Sequence, residues 1–135
     1  MPNIIYHSDL KITASDFVDV LQRSTLGERR PIDNPLRIQK MLDEADVIVT
    51  AWSDNKLIGI SRAITDFSFC CYLSDLAVDV QYQHQGIGKQ LVLLTHVAAG
   101  SETQLILLAA PKAVDYYPKI GMKQFSHCFV FDRKQ

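Results

Sequence analysis

The sequence predicts a mixed α/β fold: one twisted, mostly antiparallel sheet with helices on both faces. Three observations carry this. The elements read in the order β-α-α-β-β-β-α-β-α-β. Residues 70–110 form a strand–helix–strand unit, whose two strands should run parallel through a right-handed crossover. The strands before it are separated by short turn clusters, which suit antiparallel hairpins.

Each element has a local reason. Residues 3–7 are a short strand candidate. In Ile12-Thr13-Ala14-Ser15-Asp16-Phe17, Thr13 is a helix cap, Asp16 sits at the third helical position, and Ile12 can staple onto Phe17. Phe17, Val20, Leu21 and Ser24 share one face of that helix. A polar loop, residues 26–33, contains Glu28-Arg29-Arg30. Asn34-Pro35 opens a second helix, with Pro35 in its first turn. Its buried stripe is Ile38, Met41, Leu42 and Ala45. Residues 47–52 and 57–65 are strands joined by the turn cluster Ser53-Asp54-Asn55-Lys56, with a bulge expected at Gly59. After Asp66-Phe67-Ser68-Phe69 comes a strand, Cys70–Val78. The helix from about Gly86 to Gly100 turns Ile87, Leu91, Leu94, Thr95 and Ala98 inward. Residues 104–110 form an apolar strand, and 113–120 a short helix closed by Gly121 at the C′ position. Last, Phe125, His127, Phe129 and Phe131 alternate with Cys128 and Val130, which predicts a final strand.

Bulk properties bound the function. A chain of 135 residues fits one domain, residues 1–135, with a real core. With 47% hydrophobic and 21% charged residues, the composition is that of a water-soluble globular protein. The net charge of −1, without a basic block, argues against broad nucleic-acid binding. No apolar run reaches the roughly 18 residues of a membrane span, and no targeting segment is evident. Cys70, Cys71 and Cys128 form no Cys-x-x-Cys pattern, which suits a reducing cytoplasm. His7, His84, His96 and His127 are scattered, so no metal site is expected.

The chemistry concentrates in residues 76–91. An apolar strand leads through Asp79-Val80-Gln81-Tyr82 into Gln83-His84-Gln85-Gly86-Ile87-Gly88-Lys89, and then a helix begins. Such a junction exposes backbone N–H groups at a helix start, where a pyrophosphate can sit. A Walker A loop does not fit: Gln83 stands at its first glycine, and Gln90 follows Lys89. A dinucleotide fingerprint lacks its third glycine, since Leu91 occupies that place. What remains is Gln-x-x-Gly-x-Gly at Gln83, Gly86 and Gly88. A second motif is Ala113-Val114-Asp115-Tyr116-Tyr117-Pro118-Lys119-Ile120-Gly121-Met122, directly after the strand at 104–110.

The two motifs, in this order and at this spacing, resemble the acyl-CoA loop and the Ala-x-x-Phe-Tyr-x-x-x-Gly-Phe element of the GCN5-related N-acetyltransferases (GNAT). Tyr116 and Met122 stand where the family pattern has Phe. The resemblance covers residues 3–133. It implies a central pair of parallel strands, splayed at their C-terminal ends to admit the pantetheine arm of acetyl-CoA. The backbone of Leu76, Ala77 and Val78 would complete a ladder with that arm. The loop Gln83, His84, Gln85, Gly86, Ile87, Gly88 and Lys89 would hold the pyrophosphate.

The implied activity is transfer of an acetyl group from acetyl-CoA to a primary amine by direct attack in a ternary complex. An alkylamine with a pKa of about 10.4 is mostly protonated at pH 7, so a base helps. The departing thiolate needs an acid, for which a tyrosine hydroxyl serves. The resemblance gives Tyr117 the acid's role. Asp75, in the strand beside the reaction centre, is the base candidate. The backbone N–H near Val78 is a candidate oxyanion donor. Arg62 and Lys112 are candidates for the cofactor's phosphates, and loop 26–33 for a border of the acceptor site. The acceptor is a small-molecule or peptide amine, and a homodimer through the last strand is open. The alternative function is a non-catalytic acyl-CoA-binding sensor on the same fold.

Overall fold

A computed structural model describes residues 3–134. Five strands form one sheet in the order β1-β2-β3-β4-β5, with β1 at Ile4–His7, β2 at Val47–Ser53, β3 at Lys56–Thr65, β4 at Cys70–Val78 and β5 at Gln104–Leu107. The first three pairings are antiparallel and β4–β5 is parallel. Helices α1 (Ala14–Arg23) and α2 (Pro35–Asp43) cover one face, and α3 (Ile87–Ala99) covers the other. Each face has its own core. Phe17, Val20 and Leu21 of α1 join Ile38 and Leu42 of α2 over Leu57, Ile60 and Ala77. Ile87 and Leu91 of α3 pack with Val47, Val49, Ala51 and Ile58.

The local signals act as the sequence predicts. The Thr13 hydroxyl accepts from the Asp16 N–H at 3.0 Å, and Ile12 packs with the α1 core. The Asn34 side chain caps α2 by accepting from the Arg37 N–H at 3.2 Å. The register of β2 against β3 shifts between Ala51↔Gly59 and Trp52↔Leu57, so Ile58, next to Gly59, is the extra residue. Gly121, at φ +101°, closes α4 (Tyr116–Lys119).

Three elements differ from expectation. β5 ends at Leu107 rather than residue 110, because β4 bends away there. The helix expected over 113–120 divides into a 3₁₀ turn at Pro111–Ala113 and the four-residue α4. The final strand does not form among the described residues. Segment 123–134 has no ladder partner, so its alternating pattern is left without a neighbour and Phe129 and Phe131 stand 91% and 104% exposed. The parallel pair therefore lies at the end of the sheet.

Candidate active site

A split in the sheet makes the site. Parallel pairing runs from Cys70↔Gln104 to Leu73↔Leu107 and stops, while β4 continues to Val78. The next residue, Ser74, is a bulge: Arg62 pairs with Asp75 but Ala63 pairs with Leu73. A bulge bends the strand that carries it, and here the bend coincides with the parting of β4 from β5. The Asp79 N–H bonds the Ile58 carbonyl at 2.8 Å, which fixes the phase of the β3–β4 ladder. Hydrogen-bonded pairs alternate along an antiparallel ladder. The backbone of Asp75 and Ala77 therefore faces β3, and that of Leu76 and Val78 faces the split. Ala77, expected to contact the pantetheine through its backbone, instead spends that backbone on Ile60. The Val78 carbonyl accepts from Gln83 Nε2 at 3.1 Å, so the motif's glutamine folds back onto the strand end. Leu76 is left with backbone groups facing the opening.

The split opens into a cleft of about 720 Å³. Leu76, Val78 and Gln83 form one side, Leu107, Lys112 and Tyr117 another, and Glu28, Arg29 and Arg30 close the end. Two expected contributors, Tyr117 and the β4 backbone, thus meet around one space. Burial pushes the Tyr117 hydroxyl above its ordinary pKa of 10.0, and the neighbouring Tyr116 adds to the rise. The hydroxyl stays protonated across neutral pH, as a proton donor requires. Tyr116 and Tyr117 meet edge to face, ring centroids 5.2 Å apart.

The helix start leaves backbone donors free. Gly86 precedes α3 at φ +81°, in the left-handed region, and the first intrahelical bond is Gln90 N–H to the Gly86 carbonyl at 3.1 Å. The N–H groups of Ile87, Gly88 and Lys89 come before that bond and have no acceptor within the helix. They can receive a pyrophosphate. Gly86 is required by its backbone angle rather than by crowding, since a Cβ there meets nothing within 4 Å. His84 also has a positive φ, +66°, and its side chain is exposed, as is that of Gln85.

Asp75 is a correction. It is 0% exposed and does not line the cleft. Arg30 Nε donates to one carboxylate oxygen and Arg62 Nε to the other. A carboxylate that is fully buried, paired with two cations and absent from the cleft wall is out of reach of an amine in the cleft. The remaining guanidinium donors are also engaged: Arg30 Nη2 with the Ser74 carbonyl at 2.7 Å, and Arg62 Nη2 with the Ser74 hydroxyl at 3.1 Å. Arg62 is therefore buried beside the bulge and not at the phosphate loop. The cluster ties loop 26–33 to the bulge at Ser74. Lys112 lines the cleft.

A second anchor was not anticipated. Asp79 accepts from the Gln81 N–H at 2.8 Å and from Arg23 Nη1 at 2.6 Å, and Arg23 Nη2 donates to the Leu57 carbonyl at 2.6 Å. Burial raises the Asp79 pKa, but the Gln81 N–H and Arg23 outweigh it and hold the carboxyl below its ordinary value. This fixes the strand end from which the anion loop departs. Among the described residues no cluster of His, Cys, Asp and Glu could hold a metal ion, and no helix is long and apolar enough to cross a membrane.

Comparisons with known proteins bear on the family and the fold. Residues 31–133 match the family model described as the acetyltransferase (GNAT) domain. The chain belongs to the GNAT acetyltransferase family. It is 36% identical over 72 residues to GCN5-related N-acetyltransferase 2, chloroplastic, of Arabidopsis thaliana, a match covering 52% of this chain and 28% of that protein. The chain thus spans under a third of the length of that relative. Its fold resembles a GNAT-family acetyltransferase of Streptococcus pneumoniae TIGR4 at a TM-score of 0.80 and 23% identity, over 98% of this chain and 100% of the other. It also resembles an aminoglycoside acetyltransferase from an uncultured soil metagenomic sample, solved with sisomicin, at a TM-score of 0.66 and 21% identity, over 96% and 97% of the two chains.

Proposed function

We propose that this chain transfers the acetyl group of acetyl-CoA to a primary amine by direct attack in a ternary complex. The observation that carries it is the end of the β4–β5 ladder at Leu73↔Leu107, with Leu76 and Tyr117 lining the cleft at that opening. Leu76 offers one N–H and one C=O to the amides of the pantetheine arm, which would otherwise be left unpaired. The amides of residues 87–89 receive the pyrophosphate, and Lys112 faces its charge. The Val78 N–H, turned toward the split, supports the developing oxyanion. Tyr117 protonates the departing thiolate. The amine's proton leaves to cleft water, and Glu28, the carboxylate among the residues lining the cleft, is the next acceptor. The acceptor is a small-molecule or peptide amine, entering past Glu28 and Arg29.

A homodimer belongs to the same proposal. The exposed segment 125–131 is strand-patterned and apolar, and the outer edge of β5 has no strand partner among the described residues. Donor strand and acceptor edge lie in one chain, which a second copy satisfies reciprocally. The free thiols of Cys70, Cys71 and Cys128 favour the reducing cytoplasm.

The test is thiol release from acetyl-CoA across a panel of primary amines, with Tyr117→Phe beside the wild type. That variant keeps the ring and loses the proton, so turnover should fall roughly 10²-fold with the KM for acetyl-CoA little changed. CoA binding without thiol release from any amine would replace the enzyme by a sensor.

A further inference from the structure

The two walls of the cleft are not backed alike. Leu76 and Val78 line it from β4, a strand whose Cys71, Leu73 and Ala77 are buried. The start of α3 is likewise held by buried Ile87 and Leu91. The opposite wall, with Leu107, Lys112 and Tyr117, has no such backing. Among the described residues the last buried one is Thr103, so β5, α4 and the segment after them contribute no buried side chain. These elements are not polar: Ile106, Leu108 and Phe125 are about half exposed, and Phe129 and Phe131 almost wholly so. An obligate dimer interface has this character, resembling a domain core cut in half. Behind the wall lies a second cavity of about 920 Å³. It takes in every residue of β5 and none of β4, so it lies beyond the free edge of the sheet. Leu107, Leu108 and Tyr117 line cavity and cleft alike, so Tyr117 is a partition with space on either side.

We infer that segment 125–131 of a second copy fills this cavity and seats Tyr117, so that acetyl transfer requires the dimer. This rests on the acetyl-transfer reading of the cleft and on the dimer proposed with it. The chain's own segment only borders the cavity: Met122, Phe125, His127 and Cys128 line it, and the chain has left it by Phe129. A strand laid along the free edge of β5 turns alternate side chains to each face of the sheet. One set packs against Leu93 and Leu105 on the α3 side, which line the cavity. The partner's strand thereby supplies the core that the Tyr117 wall lacks. A misplacement of about 1 Å at a reacting centre can cost about 10²-fold in rate. A single chain therefore binds acetyl-CoA through the elements that have a core, but its proton donor is not held for the transfer.

Subunit mixing tests this, with acetyl-CoA and the amine that serves the wild type best. One chain carries Tyr117→Phe and an intact segment. The other carries Phe129→Asp with Phe131→Asp and an intact Tyr117. Each alone should release thiol roughly 10²-fold more slowly than the wild type, the first for want of the acid and the second for want of its support. With the first chain in excess, it lends its segment to the second, and thiol release should rise about tenfold above the sum of the two alone. By calorimetry the double variant should keep its affinity for CoA within about threefold. Its Tyr116, Tyr117 and Lys119 amides should exchange hydrogen faster than those of the wild type. No recovery on mixing overturns the inference and leaves acetyl transfer standing. So does wild-type turnover per chain that stays constant on dilution to monomer. A wild type that releases thiol with no amine overturns acetyl transfer and the inference together.

Discussion

Asp75 is the residue on which anchor and base part most sharply. Its carboxylate is 0% exposed and holds Arg30 from the loop and Arg62 from β3. Asp75→Ala would leave the guanidinium groups of Arg30 and Arg62 facing each other with no carboxylate between them. Removing one partner of a buried ion pair costs about 3–5 kcal/mol. Unfolding entropy near 60 °C is about 2.1 cal/mol/K per residue. For 135 residues that is about 0.28 kcal/mol/K. The variant should then melt about 10–18 °C below the wild type. Asp75→Asn turns an amide N–H₂ toward one guanidinium and removes the charge shared by both, so it should also be unstable. Urea unfolding gives the stability, and a pH–rate profile normalised to folded protein gives the chemistry. An anchor predicts a large loss of stability and an acidic limb with an unmoved midpoint in whatever activity survives. Asp75→Asn as stable as wild type, within about 1 kcal/mol, but without the acidic limb, would refute the anchor and restore Asp75 as the base.

Two further predictions concern the turn before β4 and the last segment. The Asp66 carboxylate accepts from the N–H groups of Phe69, Ser68 and Cys70, which lower its pKa from 3.8 to about 2. A depressed carboxyl pKa stabilises the fold above its unfolded value, and that contribution is lost as pH falls from about 4 through about 2; a carboxyl NMR titration should give the low midpoint, and one near 3.8 would reject it. Phe129 and Phe131 carry the proposed dimer, so the wild type should sediment as a dimer and Phe129→Asp combined with Phe131→Asp as a monomer; a monomeric wild type rejects the strand exchange.

What the sequence discloses and what it hides divide along one line. The Thr13 and Asn34 helix starts, the bulge beside Gly59, the helix stop at Gly121 and the glycine-led start of α3 are all legible. Each rests on residues a few positions apart, whose chemistry decides the backbone locally. The hidden features all depend on partners distant in the chain. Arg30 meets Asp75 across 45 positions, and Arg23 meets Asp79 across 56. Nothing in a run of polar residues distinguishes a solvated Asp from one clamped by two arginines, because the difference is made by the topology that brings β3 and loop 26–33 together. The bulge at Ser74 is hidden for the same reason, since an extra residue shows only against its partner strand. The final strand fails in the opposite sense: its alternation is plain, but a strand needs a neighbour, and residues 123–134 contain none.

This division also explains how one chain keeps its two duties apart. The parts that would touch acetyl-CoA are mostly backbone: Leu76, Val78 and the first amides of α3. The side chains nearby are largely spent on holding that backbone in place. Gln83 holds the end of β4, Arg23 with Asp79 holds the departure of the loop, and Arg30 with Asp75 holds the bulge that opens the sheet. Backbone donors and acceptors cannot be altered by ordinary substitution, so a change in the acceptor amine need not disturb the cofactor. Variation is then free to act at Arg29, on the exposed face of a loop whose next residue, Arg30, is pinned to the sheet. On this account, substitutions at Arg29 should alter which amine releases thiol from acetyl-CoA fastest, while substitutions at Arg30 should lower thiol release with every amine alike.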